Sequence, residues 1–344
     1  MINSTKISRE VKRLQLKHTW TIARGSSDYR DNVFVTLKKN GVVGYGEAAP
    51  IPRYAQTDAT AMAAIERLTD LVERSDLFEY RTVINKLREM EPLQNAARAA
   101  LEIALMDWLS KSYRVPYHRF LGLDGSQLPA TSFSIGIDSP EMIRSKVDEA
   151  KEFPYLKVKL GLENDEEIID SVRSATNKPV RVDANEGWKD KEAAIRKIDW
   201  LQKRGIELVE QPMPSRMLEE TAWLRERSGI PLIADESVMN AADIPKLAQA
   251  FDGINIKLMK SGGLQAALEM ITVARAHGMK VMLGCMVESS VAISAAACIA
   301  PLVDYVDLDG NLLLRDDPFV GVQVKRGALV LSDAHGIGVE PNKT

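Results

Sequence analysis

The runs SFSIGI (132–137), LKVKLG (156–161), VRVDAN (180–185), IELVEQP (206–212), PLIADES (231–237), GINIKL (253–258), KVMLGC (280–285) and VDYVDLDG (303–310) share one form. Each is a short apolar segment followed by residues whose apolar positions fall at helical spacing. Strand then helix, repeated, builds a parallel sheet. The runs recur near Phe133, Val158, Val182, Leu208, Ile233, Ile256, Met282 and Val306, a period of about 25 residues that eight units turn into a closed barrel rather than an open doubly wound sheet. No Gly-x-Gly-x-x-Gly follows the early strands, which argues against a dinucleotide fold.

Upstream of these runs the pattern is different. Lys6 to Leu16, Asn32 to Lys38 and Val42 to Ala48 read as strands, and Lys39-Asn40-Gly41 supplies hairpin chemistry because Asn and Gly tolerate positive φ. Helical periodicity follows from Asp58 to Arg74 and from Asn95 to Leu109. The segment Leu121 to Gly125 closes this block, and after Asp309 the strand–helix period stops. The predicted fold class is therefore α/β: a (β/α)8, TIM-like barrel over 126–315, an N-terminal α+β capping domain over 1–125, and a C-terminal segment, 316–344, that packs back on the cap and completes it.

Composition narrows the function. The chain has 344 residues, 45% of them hydrophobic, and a formal net charge of −3. It is long enough to bury a large core and lacks the basic stripe that a phosphate backbone demands, so no nucleic-acid partner is expected. The first residues lack the unbroken apolar stretch of a signal peptide and no window approaches a membrane span, so no membrane partner and a cytoplasmic location are expected. A homo-oligomer is compatible with the sequence. Cys285 and Cys298 lie in apolar surroundings and read as buried free thiols. His18, His118, His277 and His335 form no metal or triad spacing.

In such barrels the active site lies at the carboxyl ends of the strands. Consecutive runs there end in charge: Lys157 and Lys159, Asp183, Glu210, Asp235 and Lys257. Three carboxylates on the adjacent third, fourth and fifth strands would repel and push one another toward the neutral form. A divalent cation removes that conflict, and an all-oxygen donor set favours Mg²⁺, one per subunit. The lysines of the second and sixth strands stand four apart in a ring of eight, so they face each other across the barrel. Lys157 and Lys159 are two residues apart and both point inward; like charge and partial burial there are expected to lower a lysine pKa and make a usable base. A metal holding a substrate carboxylate makes the neighbouring C–H removable, and two bases on opposite faces invert that carbon.

The motifs K-V-K (157–159), V-D-A-N (182–185), V-E-Q-P (209–212), A-D-E-S (234–237) and N-I-K-L (255–258) together resemble the enolase superfamily, specifically its muconate-lactonizing subgroup. The resemblance implies that Lys159 and Lys257 are the acid–base pair and that Asp183, Glu210 and Asp235 hold Mg²⁺. It further implies that Lys157 polarises the substrate carboxylate and that Asn185 supports the metal ligands from behind.

The eighth run ends Asp307-Leu308-Asp309, two carboxylates on one face. Either a second Mg²⁺ or an organic ammonium fits them. This D-x-D is similar to the signature of the dipeptide epimerases of the subgroup, which implies a small dipeptide substrate inverted at the α-carbon of its C-terminal residue. Specificity is expected from cap loops at His18 to Tyr29 and Ile51 to Asp58. Ile22-Ala23-Arg24-Gly25-Ser26 resembles the segment by which L-Ala-D/L-Glu epimerases, enzymes of murein peptide metabolism, place an arginine on the glutamate side chain, making Arg24 the candidate and Arg53 a second one. Glu288 either lines the pocket or makes a structural contact, and Ser132 and Ser134 either touch substrate or fill the barrel. Alternatives are an epimerase for another dipeptide class, an N-succinylamino acid racemase or an o-succinylbenzoate synthase; the last two bind no ammonium, so Asp307 and Asp309 argue against them. A sugar-acid dehydratase would need a histidine base on a late strand, and His277 lies in a helical stretch. A non-catalytic binding protein is disfavoured by the complete set of lysines and carboxylates.

Overall fold

The computed structural model describes residues 4–343. Three antiparallel strands open the chain: β1 (Lys6–Ile22), β2 (Gly25–Lys39) and β3 (Val42–Ala48). Asn40 and Gly41 carry the β2–β3 turn at φ 53° and 76°, the conformation these residues allow most cheaply. The segment His18 to Tyr29, expected as a loop, is instead mostly strand. The β1–β2 ladder slips between Gln15 and Trp20 and then resumes with Trp20 opposite Ser27 and Ile22 opposite Gly25, so backbone pairing rather than side-chain pattern decides this segment.

Three helices follow, α1 (Asp58–Arg74), α2 (Tyr80–Met90) and α3 (Asn95–Ser112). Thr57 and Thr60 form a reciprocal cap at the start of α1. The third helix is buried on nearly every face, because it lies between the antiparallel sheet and the barrel. Gly44 and Gly46 of β3 allow this approach: a Cβ at either position would fall on the α3 carbonyls of Ala104 or Ala100. On its other side, α3 meets the barrel, where the backbone N–H of Gln265 donates to Glu102 at 2.6 Å.

The barrel strands are β4 (Ser132–Ile135), β5 (Tyr155–Lys159), β6 (Val180–Asp183), β7 (Ile206–Glu210), β8 (Leu232–Ala234), β9 (Gly253–Ile256), β10 (Lys280–Gly284) and β11 (Tyr305–Asp307). They form one eight-stranded sheet in sequential order, parallel throughout. Leu208, Ile233 and Met282 fill the interior against Tyr305. The seam between β11 and β4 holds by a single backbone bridge, Thr131 to Val306. Side chains complete it: Ser132 Oγ donates to Asp307 at 2.6 Å and the N–H of Ser134 donates to Asp309 at 2.5 Å. The tail returns to the cap, with the Phe319 ring 5.6 Å from Phe34 and 5.1 Å from Tyr45, and with the N–H of Ile337 donating to Asp107 at 2.9 Å.

Among the described residues no helix is long and apolar enough to cross a membrane. Both cysteines are free; Cys298 is buried, whereas Cys285, expected to be buried, is partly exposed at the end of β10.

Candidate active site

The charged residues that close the apolar runs converge as the strand order requires. Lys159 is in register with Asp183, and Asp183 with Glu210, so three neighbouring strands present three charges at one level. Asp235 follows the last residue of β8 and Lys257 follows that of β9. Ligand oxygens of Asp183, Glu210 and Asp235 all lie within 4.8 Å of one another, and all three side chains are buried. Glu210 Oε2 has no directed hydrogen bond, although the Lys157 ammonium makes an ion-pair contact with it at 2.7 Å. Three buried carboxylates at this spacing match the all-oxygen donor set of a hard divalent cation.

In this structure the lysines answer the carboxylates. Lys157 Nζ lies 2.7 Å from Asp307, Lys159 Nζ 2.7 Å from Asp183 and Lys257 Nζ 2.8 Å from Asp235. At Lys157 the expected lowering of a lysine pKa by like charge does not occur. Burial pulls Lys157 down, but Asp307, Glu210 and Asp183 outweigh it and hold the ammonium well above its usual range. Lys257 is raised in the same way, with Asp235 and Glu210 overcoming burial. The physical reason is a count of neighbours: Lys157 and Lys257 each meet more carboxylates than ammonium groups.

The carboxylates divide accordingly. Burial alone would raise Asp235, yet Lys257 and Lys260 hold it well below the carboxylate range, and Lys159 and Lys157 do the same for Asp183. Glu210 is pushed up to about 7 by burial and by Asp183. Asp307 is lowered against burial by Lys157 and Lys159, while Asp309 is pushed up to about 7 by burial and by Asp307.

Several residues that the sequence did not single out hold this constellation in place. Lys260, one helical turn beyond Lys257, donates to the Asp235 carboxylate at 2.5 Å and to its carbonyl at 2.6 Å. Asn255 donates to Glu210 at 2.9 Å; its place two residues before Lys257 puts it on the same inward face, a signal present in the sequence. Gln211, at φ 36°, accepts from the N–H groups of Asp235 and Ser237 at 2.9 and 3.1 Å and so fixes the loop that carries Asp235. Asn185, which the sequence did single out, donates its N–H to Asp183 at 2.9 Å. Asn185 and Glu186 both adopt positive φ, 44° and 66°, a conformation found where a site overrides local preference.

The cap closes a cavity of about 380 Å³ over these strand ends. Lys157, Lys159, Lys257, Asp235, Asp307 and Asp309 line it from the barrel, and Trp20, Ile22, Arg24, Arg30, Arg53 and Tyr54 line it from the cap. Arg24 sits in the tight turn between β1 and β2. Its Nη1 meets Glu236 at 2.7 Å, the Asn185 carbonyl at 3.0 Å and Glu186 at 3.6 Å. Arg53 forks onto Glu186 at 3.0 and 3.1 Å. Ser132 and Ser134 both bond Asp307. Glu288 is buried off the cavity, accepting from the N–H of Met286 at 2.8 Å, and His277 ends a helix on the barrel's outside.

Residues 5–122 match the N-terminal domain of the mandelate racemase / muconate lactonizing enzyme family, and residues 141–344 match the enolase C-terminal domain-like family. The chain belongs to the enolase superfamily. Within the superfamily it is 44% identical over 327 residues to an L-Ala-D/L-Glu epimerase of Bacteroides thetaiotaomicron, covering 95% of this chain and 85% of that protein. It is 41% identical over 332 residues to an L-Ala-D/L-amino acid epimerase of Pedosphaera parvula, covering 93% of this chain and 94% of that one. A solved dipeptide epimerase of Cytophaga hutchinsonii, complexed with Mg and the dipeptide D-Ala-L-Val, superposes with a TM-score of 0.94 at 28% identity, covering 100% of this chain and 97% of that one.

Proposed function

We propose that this enolase-superfamily chain is a Mg²⁺-dependent dipeptide epimerase that inverts the α-carbon of the C-terminal residue, with L-Ala-D/L-Glu, a constituent of murein peptides, as its substrate pair. The observation that carries the reading is that Lys159 and Lys257, on strands four apart in the ring, line one cavity together with Asp307 and Asp309. That arrangement offers a base to each face of one carbon and an anionic end for a free ammonium.

Asp183, Glu210 and Asp235 would hold the metal, which supplies Lewis acidity for the negative charge that gathers on the substrate carboxylate as its neighbouring proton leaves. Lys157, in ion-pair contact with Asp307, Glu210 and Asp183, suits a fixed contact to the same carboxylate. Of the remaining two lysines, one in its neutral form takes the α-proton and the ammonium of the other returns a proton from the opposite face. Asp307 and Asp309 receive the substrate ammonium, an exchange in which Lys157 gives up its contact with Asp307. Trp20 and Ile22 give the cavity an apolar roof, which limits water at the reacting carbon.

Arg24 supports a glutamyl side chain. Its guanidinium lines the cavity and carries five N–H donors, so beside its contacts at Nη1 it has donors to offer a second carboxylate. The test is ¹H NMR of L-Ala-L-Glu and a panel of other dipeptides in D₂O, with Mg²⁺ and again after chelation. Loss of the C-terminal α-proton signal with appearance of the epimer, dependent on Mg²⁺, is the expected result. Exchange with hydrophobic or cationic dipeptides and none with the glutamyl substrate would remove Arg24 from its role, and silence across the panel would remove the dipeptide reading.

A further inference from the structure

Three guanidinium groups line the cavity, and their surroundings differ. Arg24 is met by Glu236 and Arg53 by Glu186. Arg30 of β2 has no carboxylate partner among the described residues. Its one hydrogen bond goes from Nη1 to the carbonyl of Tyr29 at 3.0 Å. The acids beside it are occupied elsewhere: Asp31 takes two hydrogen bonds from Arg13, each 2.9 Å, and Asp28 takes one from Thr19.

The ladder fixes where Arg30 points. It stands opposite Leu14, and paired residues in an antiparallel ladder share a face. Leu14 is buried, as is Asn32, two residues on from Arg30 on the same face. That face looks at the late barrel strands: Asn32 donates to the carbonyl of Val287 beyond β10 at 3.1 Å, and Leu16 bridges Leu314 beyond β11. Arg24, by contrast, reaches loops beyond β6 and β8. The two arginines thus serve opposite flanks of one cavity, and Arg30 shares its flank with Asp307 and Asp309.

We propose that Arg30 is a second anion receptor, which extends the substrate range beyond an N-terminal alanine to dipeptides whose N-terminal residue carries an acidic side chain. The proposal deepens the epimerase reading and rests on it. A residue held by its ammonium at Asp307 and Asp309 presents its own side chain on that flank. A guanidinium cannot shed its charge in this setting, and burial disfavours the charged form here with no carboxylate to offset it. A substrate carboxylate supplies the missing partner in bidentate geometry.

The experiment compares kcat/KM for inversion of L-Glu-L-Leu, its near-isostere L-Gln-L-Leu and L-Ala-L-Leu by the full-length enzyme with Mg²⁺, and repeats the comparison in R30M and R30K. The wild-type protein should favour glutamyl over glutaminyl substrate by about tenfold, the scale of a hydrogen-bonded charge. R30M should bring the ratio to near unity, and R30K, which keeps the charge and loses the fork, should retain part of it. The ratio is taken within each folded variant, so a change in overall activity does not disturb it. Inversion of L-Ala-L-Leu without discrimination between Glu and Gln, or a ratio that survives R30M, overturns the role of Arg30 while leaving the epimerase reading intact. Faster inversion of N-succinyl-L-leucine than of L-Glu-L-Leu also overturns it, because the anion would then come from an acyl group. Silence with every dipeptide overturns both.

Discussion

Lys157 and Asp307 are joined across the seam of the barrel: the ammonium from β5 lies 2.7 Å from the carboxylate that ends β11. The same ammonium lies 2.7 Å from Glu210 and 3.5 Å from Asp183. One side chain therefore links the aspartate proposed to receive the substrate's amino end to the carboxylates proposed to hold the metal.

D307N removes one acceptor of the substrate ammonium and keeps the shape. The variant should lose about tenfold to a hundredfold in kcat/KM on free dipeptides, the scale of a charge-assisted hydrogen bond. N-acetylated dipeptides, which lack the ammonium and should be poor substrates of the wild-type protein, should lose much less. Steady-state kinetics on the matched pair checks this, and an equal loss on both would remove the ammonium from Asp307.

K159A and K257A should each lower epimerisation by about 10² to 10⁴ fold, the range of one general acid–base group. Each should also keep a half-reaction, because the remaining lysine still faces one side of the carbon. Deuterium wash-in followed by NMR should show one variant exchanging only the L,L isomer and the other only the L,D isomer. Surviving inversion in both variants would falsify the two-base mechanism.

Burial, and then Glu47, pushes the Glu288 carboxyl up to about 8. The folded protein keeps this proton through neutral pH, whereas the unfolded chain releases it above the ordinary value of 4.5. The stabilisation is thus complete below about 4.5 and declines as pH rises toward about 8, at no more than about 1.4 kcal/mol per pH unit for one proton. E288Q keeps an oxygen for the N–H of Met286 and cannot titrate. Urea unfolding should show the variant gaining at least about 1 kcal/mol on the wild-type protein between about pH 5 and pH 8. Parallel pH profiles would show that Glu288 does not titrate in this window.

G46A should destabilise the chain by about 1–3 kcal/mol or more, because the added methyl meets the Ala100 carbonyl and the backbone N of Ala104, neither of which can swing aside. Chemical denaturation checks it. A change within about half a kcal/mol would mean that β3 and α3 can move apart.

The barrel was legible because apolar runs followed by helical stretches recur at a regular interval, and the site because Asp183, Glu210, Asp235, Lys159 and Lys257 each stand at the end of such a run. Lys260 was not, because a lysine in the first turn of a helix looks like a solvated residue until the fold buries it against Asp235. Glu236 was hidden by its neighbour: sequence alternation turns it away from Asp235, and only the strained Asn185 turn and the cap arginine reveal what it meets. The extent of the β1–β2 hairpin was illegible for another reason, since its β2 side begins with Gly25-Ser26-Ser27-Asp28, which has no apolar alternation and is held by backbone pairing.

The matched level of Lys159, Asp183 and Glu210 across β5, β6 and β7 has a consequence for how this chain can drift. A slip of one residue in any of these strands would swing its charge out among the helices and bring an aliphatic side chain in. Intermediate positions do not exist. The reactive groups are digital, present or lost as a set with the hydrogen-bonded ladder that carries them, whereas Arg24, Arg30 and Arg53 hang on the hairpin and on the loop after β3, where a single exchange changes what is admitted and leaves the machinery beneath it untouched.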